Sequence, residues 1–275
     1  MNNQLQTKPK FSVAIQTEGY KKLINNTLGD PNKAKRFIAS ISSAVATNPS
    51  LQQCDAGSIL SGALLGEALN LSPSPQLGQY YLVPFKDKAQ FQLGYKGYIQ
   101  LAIRSGQYKD IDVIEVREGE YLGRDKITGK HQFEFIEDEV KRENEPIIGY
   151  MAYFEYLNGF YKNIYWSKEK MQKHALEYSQ AYASDVKKGT SYSFWSKDFN
   201  GMAFKTMLRQ LISKWGVMSI EIQEAMTKDM TVVKEDGTYD YVDNQPTVVT
   251  PTAEEINTEI KEETTEVKQV NINEL

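Results

Sequence analysis

From Trp195 to Gly216 the chain reads WSKDFNGMAFKTMLRQLISKWG, a helix-length run with Asp198 as its only acid. At about 100° per residue, Ala203, Phe204, Met207, Leu208, Leu211, Ile212 and Trp215 fall on one half of a helical wheel. Met202, Lys205, Thr206, Arg209, Gln210, Ser213 and Lys214 fall on the other. A helix patterned this way must bury its apolar half, so the surrounding chain has to supply an apolar surface of matching length. Lys205 and Arg209 stand four apart, and two like charges at that spacing repel by a few tenths of a kcal/mol. The pair reads either as an ordinary solvated face or as a ridge that meets an anion.

The surface for that helix is written upstream in the period of two that strands use. Gln79–Phe85 and Ala89–Leu93 read as strands around a Lys86-Asp87-Lys88 turn. Asp110–Glu118 alternates, and Gln132–Ile136 is a further short strand. Pro146–Leu157 and Phe160–Trp166 flank Asn158-Gly159, a strong hairpin turn. Helices are expected from Asp30-Pro31 to about Thr47, from Asp55 to Ser72-Pro73, from Gly94 through Arg104, from Ser167 to about Lys188 and from Ser219 to about Met230. The Asp55 helix is rich in small residues, which predicts close packing in the core or against a neighbouring subunit. The expected class is α+β, an antiparallel sheet with hairpins packed against several helices and a flexible acidic C-terminal tail. Residues 1–29 read as an N-terminal arm or oligomer contact, 30–230 as the core, and 231–275 as an acidic linker and tail suited to docking a partner.

The net charge of −4 conceals a division. Lys228–Leu275 holds 12 acids and 4 bases, whereas Gly159–Gly216 holds 10 bases and 4 acids. A basic segment in a mildly basic body points to a polyanionic partner. One cysteine, no apolar run of membrane-spanning length and no apolar leader predict an intracellular, cytoplasmic protein without membrane contact.

Catalytic signatures are scarce. GxxxxGK[ST], GxGxxG, HExxH and GxSxG do not occur, Cys54 has no CxxC partner, and His131 and His174 stand alone. No catalytic residue, metal site or required cofactor is expected. Acids at Asp110, Asp112, Glu115, Glu134, Glu137, Asp138 and Glu139 keep a metal-dependent nuclease as the alternative. A structural or scaffolding protein whose oligomerisation has nothing to do with DNA is a third reading. Tyr150–Gly216 carries 16 of the chain's 31 aromatics among its ten cations. Rings that accept bases and cations that follow phosphates are the combination that binds single-stranded nucleic acid, although many of these aromatics must also build the core.

Three blocks, GALLGEALNLSPSPQLGQYYLVPF, QFQLGYKGYIQLAIRSGQY and NGMAFKTMLRQLISKW, spread between Gly62 and Trp215, resemble the RecT family of phage recombinases in content, order and spacing. The resemblance implies ATP-independent annealing of complementary single strands in homologous recombination, with no enzymatic turnover. It implies rings or helical filaments holding single-stranded and annealed DNA in a basic groove, beside a phage exonuclease and the host single-strand-binding protein. Lys205 and Arg209 are then expected on phosphates, with Lys96 and Arg104 as a second pair. Lys197 and Lys214 are further phosphate candidates, with Lys214 about 180° from Lys205 and suited to a different strand. Phe199, Met202 and Trp195 are candidates to wedge against bases, with core packing the competing role for Trp195.

Overall fold

The chain enters through two short helices, α1 (Phe11–Ala14) and α2 (Glu18–Leu28). This is a computed structural model, and it describes residues 10–234 and 239–241. Of the expected tail, residues 231–234 and 239–241 are described and the rest falls outside the described residues, as do residues 1–9 of the expected N-terminal arm. Phe11, Ile15 and Ile24 are buried in the common core, because each turn of these helices offers an apolar residue to α3 (Pro31–Ala46). Asp30 caps α3 by accepting from Asn32 N, with proline at the first turn. After a 3₁₀ turn at Leu51–Gln53, α4 (Ala56–Ala68) runs through the centre.

The small residues of α4 face strand β1 (Tyr80–Phe85) of the same chain. A Cβ on Gly62 would sit 2.8 Å from Leu82 Cδ2, and one on Gly66 would collide with the Tyr80 ring. Helix and sheet therefore approach more closely than side chains would allow. β1 pairs antiparallel with β2 (Lys88–Leu93), and the chain continues into α5 (Tyr95–Arg104). Then come β3 (Tyr108–Arg117), the β4 (Tyr121–Arg124) and β5 (His131–Phe133) ribbon, and α6 (Glu139–Asn144). The Asn158-Gly159 hairpin joins β6 (Ile147–Tyr156) to β7 (Tyr161–Ser167), and the sheet order is β3-β6-β7.

The helix expected over 167–188 is two, α7 (Lys168–Tyr178) and α8 (Gln180–Lys188). Ser179 breaks it by adopting an extended backbone and accepting from Tyr182 N as the cap of the second. The helix near Trp195 is likewise two, α9 (Phe194–Lys197) and α10 (Phe199–Trp215), divided at Asp198, whose carboxylate accepts from Gly201 N. α11 (Ile220–Lys228) leads to β8 (Thr231–Val233) and β9 (Tyr239–Tyr241), which extend the first sheet to the order β1-β2-β8-β9. All pairings are antiparallel.

α10 lies across β3, β6 and β7 and against α5. Ala203, Met207, Leu208, Leu211 and Ile212 are fully buried there, as the wheel requires. Three positions depart from the wheel, one of them Thr206, expected on the solvated half but 8% exposed, with its hydroxyl donating to Met202 O at 2.9 Å. Trp215, expected inward, is 41% exposed, with the Lys162 ammonium over its ring, 4.3 Å from the centre. Lys205, expected on the solvated half, is 6% exposed. A carboxylate brought by the turn after α11 meets it inside the protein.

Burial pushes the phenols of Tyr80, Tyr98, Tyr108 and Tyr150 above the ordinary tyrosine value. Burial, aided by the Asp110 carboxylate, raises Tyr153 from 10.0 to about 12. A group whose folded pKa is raised contributes stability in full below its unfolded pKa and loses it as pH climbs toward the folded one. Stability from these phenols is therefore expected to be flat below pH about 10 and to fall from there to about 12. Urea midpoints measured across that window, with tyrosinate absorbance followed in parallel, check this. A midpoint that stays level from pH 10 to 12 would contradict it.

Candidate nucleic-acid interface

Two adjoining hollows, of about 570 and 880 Å³, meet at Phe194 and Lys197, which line both. The first runs between the β1–β2 hairpin and the α8–α9 connection, with Met202 and Met230 among its lining. The second continues between the C-terminal turns of α3 and the Pro73–Gln76 loop, past Tyr81. Together they form an open groove on the face where the first sheet meets α9.

The groove is held in shape by its own hydrogen bonds. Asp185 is 3% exposed and organises the loop that follows α8. Its carboxylate accepts from Thr190 Oγ1 at 2.6 Å, Ser193 N at 2.7 Å and Ser196 Oγ at 2.7 Å. Thr190 and the other donors hold it well below the usual carboxylate range. Its charge is thus spent inside the loop, and the loop presents Tyr192, 79% exposed, and Phe194, 37% exposed. Tyr81 stands 6.3 Å from Phe194, ring centre to ring centre. Lys188 and Lys197 line the same groove. Accessible rings beside ammonium groups are the parts that hold a single strand, rings against bases and cations against phosphates.

One more group belongs to this face. Asp229, fully buried, accepts from Lys205 Nζ at 2.8 Å and from Arg209 Nη1 at 2.9 Å. Its neighbour Met230 lines the groove, as does Met202. Met202 and Arg209 are seven apart, about 20° from eclipsed on a helix. The α10 face that forms groove wall at Met202 therefore carries Arg209 two turns on. Arg209 keeps 37% of its side chain in solvent.

A profile of the RecT family matches residues 35–249. The chain belongs to the RecT family. It is 38% identical over 254 residues to "Uncharacterized protein YqaK" of Bacillus subtilis (strain 168), covering 88% of this chain and 81% of that one. It is 29% identical over 234 residues to "Protein RecT" of Escherichia coli (strain K12), covering 77% and 80% respectively. Membership in the RecT family places it among single-strand annealing proteins of recombination. Two of the three blocks of the resemblance converge on one carboxylate: Leu93 N and Tyr98 OH, from the second, also donate to Asp229, beside Lys205 and Arg209 from the third.

The residues expected to touch DNA are not all in one place in this RecT-family fold. Lys197 and Met202 line the groove. Lys96 is exposed, with its ammonium 5.9 Å from the Tyr95 ring. Arg104 is directed elsewhere: Nη2 donates to Leu69 O at 2.6 Å and Nη1 to Asn70 O at 3.3 Å, closing the carbonyl end of α4. Trp195 is 6% exposed and packs edge-on to Phe199, ring centres 5.2 Å apart, and it also contributes to the groove lining. Lys214 is exposed beside Trp215.

Phe194, Tyr192, Asp185 and Asp229 escaped the reading of the sequence as site residues. A Thr-Ser-Ser cluster five to eleven residues after an aspartate was the available signal for Asp185. Asp229 had none, since counting charges from Lys228 onward merged it with the acidic tail.

Proposed function

We propose that this RecT-family chain binds single-stranded DNA in the groove around Phe194 and Lys197 and anneals it to a complementary strand without ATP. The observation that supports this most is the pairing of accessible rings, Tyr192 and Phe194, with Lys188 and Lys197 on one hydrogen-bonded frame. Base pairing itself selects the partner strand, so the protein's contacts go to phosphates and base faces and leave the pairing edges open. Within this reading Arg209, Lys197 and Lys188 hold phosphates, and Lys96 extends the track. Lys214 beside Trp215 contacts a different strand. Lys205 supports Arg209 from inside the fold.

The proposal extends to oligomeric assembly on DNA, to a phage recombination setting in a bacterial cytoplasm, and to work beside an exonuclease and a single-strand-binding protein. Magnesium modulates binding and takes no part in a reaction. No helix among the described residues is long and apolar enough to cross a membrane. Three of the acids that favoured a nuclease are engaged within the fold: Asp110 accepts from Tyr153 OH, Glu115 from Asn200 and Arg117, and Asp138 caps α6. Among the described residues no three His, Cys, Asp or Glu side chains are grouped to hold a metal.

The test adds two complementary oligonucleotides one after the other, in magnesium without ATP. A mobility shift with the first strand and faster pairing on adding the second are expected. Shortened DNA would replace annealing with nuclease chemistry, and no shift at low salt would end the DNA-binding reading.

A further inference from the structure

We propose that Gln92 is a specificity-determining residue of the groove: its side-chain oxygen accepts a hydrogen bond from the exocyclic amine of an adenine or cytosine in the bound strand. This rests on the reading of the groove as the single-strand site. β2 is covered on both faces, with Gln90 1% and Gln92 8% exposed. An amide so deep in the protein costs free energy unless its polar atoms find partners.

A relay of hydrogen bonds fixes which way the two amides point. Met230 O, a backbone carbonyl, can only accept, and the Gln90 side chain donates to it through Nε2. Gln90 Oε1 is thereby turned to Gln92, whose Nε2 donates to it at 2.8 Å. Gln92 Oε1 stands at the end of the relay. The carbonyl that starts it is itself pinned. Met230 takes a positive φ of 63°, which persists in a side-chain-bearing residue only where its surroundings enforce it, and Met230 N donates to Phe91 O at 2.8 Å. Among the described residues no donor reaches Gln92 Oε1, yet the one fully buried side-chain nitrogen or oxygen without a partner is Arg117 Nε. Gln92 Oε1 is therefore accessible, and the space beside it is the groove, which Gln92 lines together with Gln90 and Met230.

Rings stand next to this acceptor. Gln92 and Tyr81 are direct partners across the β1–β2 ladder, so their side chains emerge side by side on one face. The Tyr81 ring lies 6.3 Å from Phe194, which is 37% exposed. A base resting its face on these rings brings an edge to Gln92. Adenine and cytosine carry their amines on the major-groove edge, where guanine and thymine present carbonyl oxygens. An acceptor at this position favours the first two and meets the others oxygen to oxygen. Each amine has two hydrogens and pairing uses one of them, so the contact holds the base without preventing annealing.

Two labelled oligonucleotides of equal length test this on the full chain by fluorescence anisotropy. One is oligo(dC), and the other carries 2-pyrimidinone, which is cytosine without its exocyclic amine. The parent is expected to bind oligo(dC) about fivefold more tightly, the worth of one neutral hydrogen bond, with equal salt slopes because no phosphate contact changes. Gln92→Met, close in size but without the acceptor, is expected to bring the two affinities together with parental circular dichroism. A parent that binds both oligonucleotides equally would overturn the proposal. So would Gln92→Met weakening both alike and keeping the parental ratio, as a purely structural role predicts. If the parent binds neither oligonucleotide at low salt, the reading of the groove as a strand site fails first and the proposal falls with it. If Gln92→Met does not fold, the parental ratio decides alone.

Discussion

Lys205→Ala is expected to cost about 3–5 kcal/mol of folding stability, enough to remove a large part of what a domain of this kind possesses. The substitution leaves Asp229, fully buried, with one of its two cations gone. A truncated buried pair costs far more than an absent one, because the surviving charge keeps its desolvation penalty. The same change at an exposed lysine such as Lys197 should stay within about 0.5 kcal/mol. Urea unfolding of both variants against the parent checks the contrast. Equal midpoints for Lys205→Ala and the parent would mean that Lys205 is a surface residue after all, as the helical wheel alone suggests. Burial holds the Lys205 ammonium pKa below the ordinary 10.5. Its folded form therefore releases its proton first, and this group's contribution rises with pH up to about 10.5, opposite in sign to the tyrosines.

Lys188→Ala combined with Lys197→Ala is expected to weaken single-strand binding roughly 25-fold at 0.1 M salt. The expectation follows from two phosphate contacts at about 0.7 of log–log salt slope each, so the slope should become shallower by about 1.4. Phe194→Ala should act through a different term. A ring that stacks on a base is worth about 1–3 kcal/mol and carries no counterions, so affinity should drop while the salt slope stays put. All three side chains are on the surface and none anchors the core, so folding should be unchanged. Fluorescence anisotropy of a labelled oligonucleotide at four salt concentrations separates the two effects. A double lysine variant with parental slope would remove the groove from the DNA path.

The predictions treat Lys205 and Lys197 oppositely, although both sit in one basic stretch of sequence. What divides them is a carboxylate 24 residues further on. Local pattern assigned the class correctly: antiparallel strands with helices, a hairpin at Asn158-Gly159, capped starts at Asp30, Asp55 and Ser167. These are short-range matters, settled by backbone preferences and by side chains bonding amides two or three residues away. The family resemblance was legible for a related reason. Its blocks are the segments that must fit together, as Gly66 fits Tyr80 and as Leu93, Tyr98, Lys205 and Arg209 meet on Asp229.

Sequence by itself thus determined the layers, the hairpins and the basic, aromatic character of the segment from Gly159 to Gly216. Tertiary structure alone decided which cations face solvent. Arg104 reaches back to the carbonyls that end α4, Lys205 turns inward to Asp229, and Asp185 spends its charge on its own loop while Tyr192 and Phe194 stand clear. Periodicity along a helix reports how apolar a face is. It contains no information about a partner that arrives from another element, and a single buried carboxylate is sufficient to draw a lysine off the solvated half of a wheel and into the core.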